Sequence, residues 1–223
     1  FIFIQKICFS WAQIIFSTDV TYVSGSNKVE GVCVVTFPIA IDTLYVMSGA
    51  KRIVYYPQVK NMQNLSLQQF INQTIVRETE RLINKQIEGA PIWIEEMLGS
   101  YEMKNNQRNV LSLSLSNYAY FYQAAHGMTY MSSLTFDIER GKRCRLADLF
   151  QPGSDYVERI SAIVRAQIKQ RNIQTLHEFT SIRNDQDFYL ADKTLVIYFQ
   201  LYEITPYVFG FPMFPISVYE LTD

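Results

Sequence analysis

The sequence holds only two histidines, His126 and His177, and three cysteines, Cys8, Cys33 and Cys144, among its 223 residues. Neither set shows a metal-ligand spacing such as C-x-x-C or H-x-x-x-H, so no metal site and no cofactor is expected. An odd number of cysteines rules out a complete disulfide framework, and the three read as small buried apolar residues. No glycine-rich phosphate cradle occurs, and no G-x-S-x-G elbow presents a nucleophile. Neither sign of charge is in excess. With 20 basic against 21 acidic residues there is no positive field to gather phosphates, which excludes nucleic acid as an expected partner. Heptads, low-complexity tracts and exact repeats are absent too. The apolar opening FIFIQKICFSWAQIIF, residues 1–16, is interrupted by Gln5, Lys6 and Gln13 and falls short of the roughly 20 residues a membrane helix needs. It lacks the basic leader and small-residue cleavage site of an export signal. Regular patterning begins only near Val34, so residues 1–33 are expected to be an atypical N-terminal extension, a remnant, a tag or a misplaced start.

What the chain does have is aromatics, 15 Tyr and 15 Phe, interleaved with Val, Ile, Leu, Ser and Thr as in pleated, half-buried strands. Ile39–Val46 and Lys51–Tyr56 read as two strands, the second ended by Pro57. Residues 66–87 read as a helix with a Ser66/Gln69 capping box and a stripe of Leu67, Phe70, Ile71, Ile75, Leu82 and Ile83. In NVLSLSLSNYAYFY the leucines point one way, while Ser112, Ser114, Ser116, Tyr118, Tyr120 and Tyr122 point the other. A second alternating run follows through Tyr130, Leu134, Phe136 and Ile138, ending at a turn where Gly141 takes positive φ. Another helix over residues 155–170, capped by Ser154, has a stripe of Tyr156, Ile160, Ile163, Val164 and Ile168. The end of the chain reads as a hairpin around Asp192-Lys193 and an aromatic segment shaped by Pro206, Pro212 and Pro215. The fold class expected is α+β, a mainly antiparallel sheet with two long amphipathic helices in two closely packed subdomains, residues 34–125 and 126–223.

Residue chemistry does not assemble an active site, and no catalytic residue is expected. His126 pairs on paper with Ser132 and Asp137, but any serine-rich chain allows such a choice. Thr175 and Glu178 look like a capping pair with His177 exposed in a first helical turn. Glu95 and Glu96 are adjacent and would face opposite ways in a strand, and Asn184-Asp185-Gln186-Asp187 reads as a polar turn. The aromatic features offer more. The Ser and Tyr face of residues 112–122 is either a binding face or the solvent side of a sheet, and the segment from Tyr202 to Phe214 either seals the core or anchors a ligand. Tyr118, Tyr120, Tyr122, Tyr202, Tyr207 and Phe209 are the binding candidates; His126, Gly127, Gly141, Pro206 and Gly210 hold structural turns. His126 is expected to sit between two strands, tying neighbouring groups with its ring nitrogens.

Tyr55-Tyr56-Pro57-Gln58-Val59, Phe70-Ile71-Asn72-Gln73-Thr74-Ile75, Ala125-His126-Gly127, Leu134-Thr135-Phe136-Asp137 with Gly141-Lys142, Leu146-Ala147-Asp148-Leu149-Phe150 and the run from Phe188 to Pro212 resemble, in this order, a paired domain-of-unknown-function family. The resemblance covers about residues 36–221. This pair occurs in the extracellular part of the lysozyme-sensing anti-sigma-V factor (RsiV-type) and N-terminal to a peptidoglycan deacetylase. It implies two intimately packed α+β subdomains without catalysis of their own. Where the family often has two glycines before its Ala-His-Gly, this chain has Gln123 and Ala124, which implies a stiffer loop. It shows no sigma-binding segment and no deacetylase domain, so anti-sigma activity is not carried over.

The resemblance therefore implies a non-catalytic bacterial binding module outside the membrane, recognising a lysozyme-like protein or cell-wall glycan. An alternative is a soluble intracellular protein of the same fold with another protein partner, cytoplasmic if residues 1–33 are no export segment. A peptidoglycan-modifying hydrolase has no supporting residue cluster.

Overall fold

A computed structural model describes residues 37–88 and 93–221. The expected N-terminal extension, with Cys8 and Cys33, lies outside the described residues. Six strands form one sheet in the order β1 (Ala40–Met47), β2 (Arg52–Lys60), β3 (Ile94–Gln107), β4 (Val110–Phe121), β5 (Met128–Asp137) and β6 (Lys142–Arg143). A second sheet holds β7 (Phe188–Ala191), β8 (Thr194–Tyr198) and β9 (Met213–Ser217). Helix α1 (Leu65–Glu88) connects β2 to β3, and α2 (Tyr156–Gln170) precedes the second sheet. All described pairings are antiparallel except β2 with β3, and that parallel pair is the one bridged by a helix. Among the described residues the result is a mixed α/β fold with two α-helices and mostly antiparallel sheets. The boundary expected at 125/126 falls in the β4–β5 connection, inside the first sheet.

Helix α1 buries Leu67, Ile71, Ile75 and Leu82 against Leu111, Leu113, Leu115, Leu134 and Phe136. Its start differs from the sequence reading. Asn64, not Ser66, caps it: the Asn64 Oδ1 accepts the Leu67 N–H at 2.9 Å, while Gln68 is spent on the Met62 N–H. Strand β2 also runs on through Pro57 to Lys60, because beyond Val54 only β1 borders it and edge pairing tolerates a residue without an N–H. Strand β3, with Glu95, Glu96, Glu102 and Lys104, has little strand signature, yet it is the centre of the sheet. Its Gly99 lies so close to Val54 on β2 that a Cβ would come within 2.3 Å of the valine side chain.

The two sheets meet on the serine half of β4. Ser112 is 0% exposed, and its hydroxyl accepts the Leu190 N–H of β7 at 3.1 Å. Ser133 on β5 donates to the Phe188 carbonyl and accepts the Tyr198 hydroxyl at 3.0 Å. Met131, Tyr189, Val196 and Tyr198 fill the space between. The opposite face of the second sheet packs on α2 through Ile160, Val164, Leu195, Ile197, Phe199, Phe214 and Ile216. Ser154 does not cap α2; Asp155 takes that position without a side-chain bond, and the Ser154 hydroxyl is buried without a partner. No helix forms at Thr175–Glu178, where Leu176 N–H is instead held by the Ile204 carbonyl. The turn around Asp192 is as expected, with φ 50 at that residue, and Arg108 at the β3–β4 turn reaches it at 2.9 Å. Along the outer edge of β5, Gln200 behaves like a strand residue: it accepts the Met131 N–H at 3.2 Å and donates to the Met131 carbonyl at 2.8 Å.

Candidate functional site

Register decides which side chains share the uncovered part of the first sheet. Tyr45 on β1 faces Tyr55 on β2, Ile53 two residues before Tyr55 faces Leu98 on β3, and Leu98 faces Tyr118 on β4. Directly opposed residues point to the same side of a sheet, and so do residues two apart along a strand. Tyr45, Tyr55, Leu98 and Tyr118 therefore form a row across four strands, on the side away from α1. Tyr45 is 60%, Tyr55 44% and Leu98 47% exposed, and the two tyrosine rings lie 5.9 Å apart. Beside the row, Glu96 faces Tyr120, and the Ser100 and Ser116 hydroxyls bond each other at 2.9 Å. Partial burial pushes the Tyr118 phenol up, and the charges of Glu96, Tyr207 and Tyr120 add to it.

The row ends in an aromatic joint. Gly127 is buried beneath Tyr118: a Cβ on it would fall 2.2 Å from Tyr118 Cε2. The Tyr207 hydroxyl donates to the Gly127 carbonyl at 3.1 Å, and its ring stacks on His126 with centroids 4.4 Å apart. Nδ1 of His126 lies 3.0 Å from the same carbonyl, and a carbonyl only accepts, so Nδ1 carries the hydrogen. In the neutral ring Nε2 is then the acceptor, facing the Tyr202 hydroxyl at 3.4 Å. Tyr120 closes the loop by donating to the Ala124 carbonyl at 2.9 Å.

Thus Tyr118, Tyr120, Tyr202, Tyr207, His126 and Gly127, distant in sequence, gather at one end of the sheet. Tyr122 is exposed at the mouth of the loop, its N–H held by the Trp93 carbonyl. Phe209 lies in a short 3₁₀ turn, Tyr207–Phe209, introduced by Pro206 and ended by Gly210 at φ 65; beside it Val208 is 85% exposed. Gly141, at φ +62, belongs to the remote β5–β6 turn. Two details differ from the sequence reading. The left-handed residue of the β4–β5 loop is Gln123 at φ 58, while Gly127 is needed for the approach of Tyr118. The tyrosine face is continuous only from Ser116 onward, since Ser112 and Ser114 are buried under the second sheet.

The paper triad does not assemble. Ser132 bonds Glu78, and the Asp137 carboxylate accepts the Arg140 N–H at 2.9 Å and sits 3.6 Å from the Arg140 side chain. Among the described residues no group of three His, Cys, Asp or Glu side chains is placed to hold a metal. His177 is exposed, and residues 184–187 form a turn before β7. Sequence reasoning missed Tyr45, Tyr55, Leu98 and Glu96, which only the register of β1, β2 and β3 unites with Tyr118, and also Val208, exposed in the Tyr207–Phe209 turn.

Comparison with known proteins agrees with this architecture. Residues 147–219 match the family described as "Protein of unknown function (DUF3298)". The match spans α2, the second sheet and the Tyr202–Phe209 segment. No curated protein matches the chain. Among solved structures, the chain is similar to a member of the DUF3298 family from Bacteroides fragilis, at 16% identity and TM-score 0.60, covering 82% of this chain and 91% of that one. It is similar also to a DUF3298 family protein from Pseudomonas aeruginosa, at 15% identity and TM-score 0.60, covering 82% and 93%. At these identities the likeness concerns the fold.

Proposed function

We propose that the chain is a non-catalytic binding module whose aromatic sheet face recognises cell-wall glycan or a lysozyme-like protein. The observation that carries this reading is the row Tyr45, Tyr55, Leu98 and Tyr118, ending in the His126, Tyr202 and Tyr207 joint. Exposed tyrosines on a rigid sheet offer large contact area at small entropic cost, and their faces stack on sugar rings or on an apolar protein surface. Glu96, next to Tyr118, supplies an acceptor for sugar hydroxyls or for a cation on a basic partner. The resemblance to the extracellular part of a lysozyme sensor favours both ligands and an envelope location. No helix among the described residues is long and apolar enough to cross a membrane.

A non-catalytic role is the simplest reading of His126, whose two ring nitrogens are both engaged with the fold. The test is retention of the full chain on insoluble peptidoglycan and on immobilised lysozyme, beside a Tyr45→Ser/Tyr55→Ser variant. Retention of the wild type on either matrix, weakened at least tenfold in the variant, supports the proposal. Equal retention of both proteins, or retention of neither, removes the aromatic face from the function.

A further inference from the structure

On the far side of the β5–β6 turn lies a cleft of about 400 Å³ that the aromatic face does not use. Arg140, Lys142 and Arg145 line it around a floor of Leu149, Phe150 and Pro152, with Asp148 the only acid among the lining residues. Three cations thus face two carboxylates, Asp148 within the lining and Asp137 beside Arg140, which leaves one positive charge in excess. The acid contacts of the three are long: Lys142 to Asp148 is 3.3 Å, Arg145 to Asp148 is 3.4 Å through Nε, and Arg140 to Asp137 is 3.6 Å. Good charge-assisted bonds are nearer 2.8 Å. Neither arginine forms the two-pronged pair with its acid that a guanidinium fork favours, so both retain donors for a second oxyanion.

The local backbone keeps this arrangement in place. Asp148 accepts the Arg145 N–H at 2.8 Å, and these residues form the 3₁₀ segment Leu146–Leu149, anchored by buried Leu146 and Leu149. Phe150 is stacked on Tyr156 at 4.9 Å. Burial opposes ionisation of Asp148, but the Arg145 N–H and Lys142 outweigh it and hold its carboxyl below the usual range. The acid is therefore charged at neutral pH and the surplus is still positive. We infer that the cleft formed by Arg140, Lys142 and Arg145 over Leu149, Phe150 and Pro152 binds a compact organic anion, a carboxylate or a phosphate ester on an apolar body.

The experiment is an amide-resolved NMR titration of the full chain, with sodium acetate and inorganic phosphate as separate arms at constant ionic strength. Saturable shifts confined to residues 140–152 in either arm support the site, and the arm that saturates first identifies the anion class. Arg145→Ala and Lys142→Ala are each expected to weaken binding about tenfold, the loss of one charge-assisted bond. Lys169→Ala, at an exposed position of α2, serves as the charge control and is expected to leave binding unchanged. Thermal melts of all variants show whether the 3₁₀ segment remains folded; because it anchors by Leu146 and Leu149, little change is expected. Shifts spread over every exposed cation, equal weakening by Lys169→Ala, or no saturable shift in either arm would overturn the inference.

Discussion

The ring of Tyr207 stacks on His126, 4.4 Å between centroids and 27° between planes, and so ties the β4–β5 loop to a segment far along the chain. An offset aromatic pair of this kind contributes about 1 kcal/mol beyond its buried area. His126→Ala is therefore expected to lower the melting temperature by a few degrees, equivalent to ~1 kcal/mol, without abolishing any chemical turnover. Calorimetry on the variant checks the first part. A hydrolase activity that disappears with His126 would refute the structural role.

Gly127 tolerates no side chain while Tyr118 stands above it. Gly127→Ala is expected to cost about 1–3 kcal/mol through overpacking, and Tyr118→Ala in the same chain is expected to recover part of that loss. A double-mutant cycle by denaturant unfolding measures the coupling. Additive effects would mean that the ring moves aside freely.

Glu78 lies under the first sheet, 7% exposed, bonded to the Ser132 hydroxyl and to Arg81 at 2.9 and 2.6 Å. Burial alone would raise its pKa, but the Arg81 and Ser132 bonds outweigh it and the net shift is downward. A depressed folded-state pKa contributes stability that is complete above the unfolded value near 4.5 and is lost as pH falls through the folded one. Glu78→Gln is expected to destabilise the protein at pH 7 and to flatten the acid limb of its stability curve. Asp187 runs the other way: burial raises its pKa, so its ionisation opposes folding as pH rises past the usual carboxylate range. Unfolding curves from about pH 3 to 7 for Glu78→Gln and Asp187→Asn separate the two contributions.

Cys144 is buried, and burial first, then the nearby Asp137, pushes its thiol up to about 11. At pH 8 little thiolate forms, so alkylation of Cys144 in the native protein is expected to be slow and to accelerate on denaturation. Peptide mapping by mass spectrometry follows this cysteine individually. Fast native labelling would show that this part of the core opens readily.

Where one periodicity decided an element, the sequence was enough. The α1 stripe of Leu67, Ile71, Ile75 and Leu82 and the leucines of β4 are buried as the 3.6 and 2.0 spacings require. Caps were harder, because Asn64 and Ser66 both suit a helix start and only the bond from the Leu67 N–H to Asn64 separates them. Strand β3 escaped notice since its charged residues disguise a central strand. The serines of β4 misled for a different reason: a hydroxyl reads as solvent-facing, but Ser112 is consumed by the Leu190 N–H of β7, as Ser133 of β5 is by the Phe188 carbonyl. The candidate face was half legible. Alternation put Tyr118 and Tyr120 together, whereas the local pair Tyr45 and Tyr55 joins them only through Leu98, by the distant Ile53–Leu98 and Leu98–Tyr118 pairings that local pattern does not encode. Gln123, left-handed at φ 58, shows that the chain makes this bend with a residue that carries a side chain, which no local pattern announces.

The amide of Gln200 substitutes for a neighbouring strand at Met131, and so does with one side chain what other proteins do with a bulge or a lysine. A second molecule extending the sheet on the β5 side would first have to displace this amide from the Met131 backbone. Crowded solutions of the native protein should accordingly resist forming ordered fibres from this flank, and removing the amide would expose a docking rail for stray extended peptides.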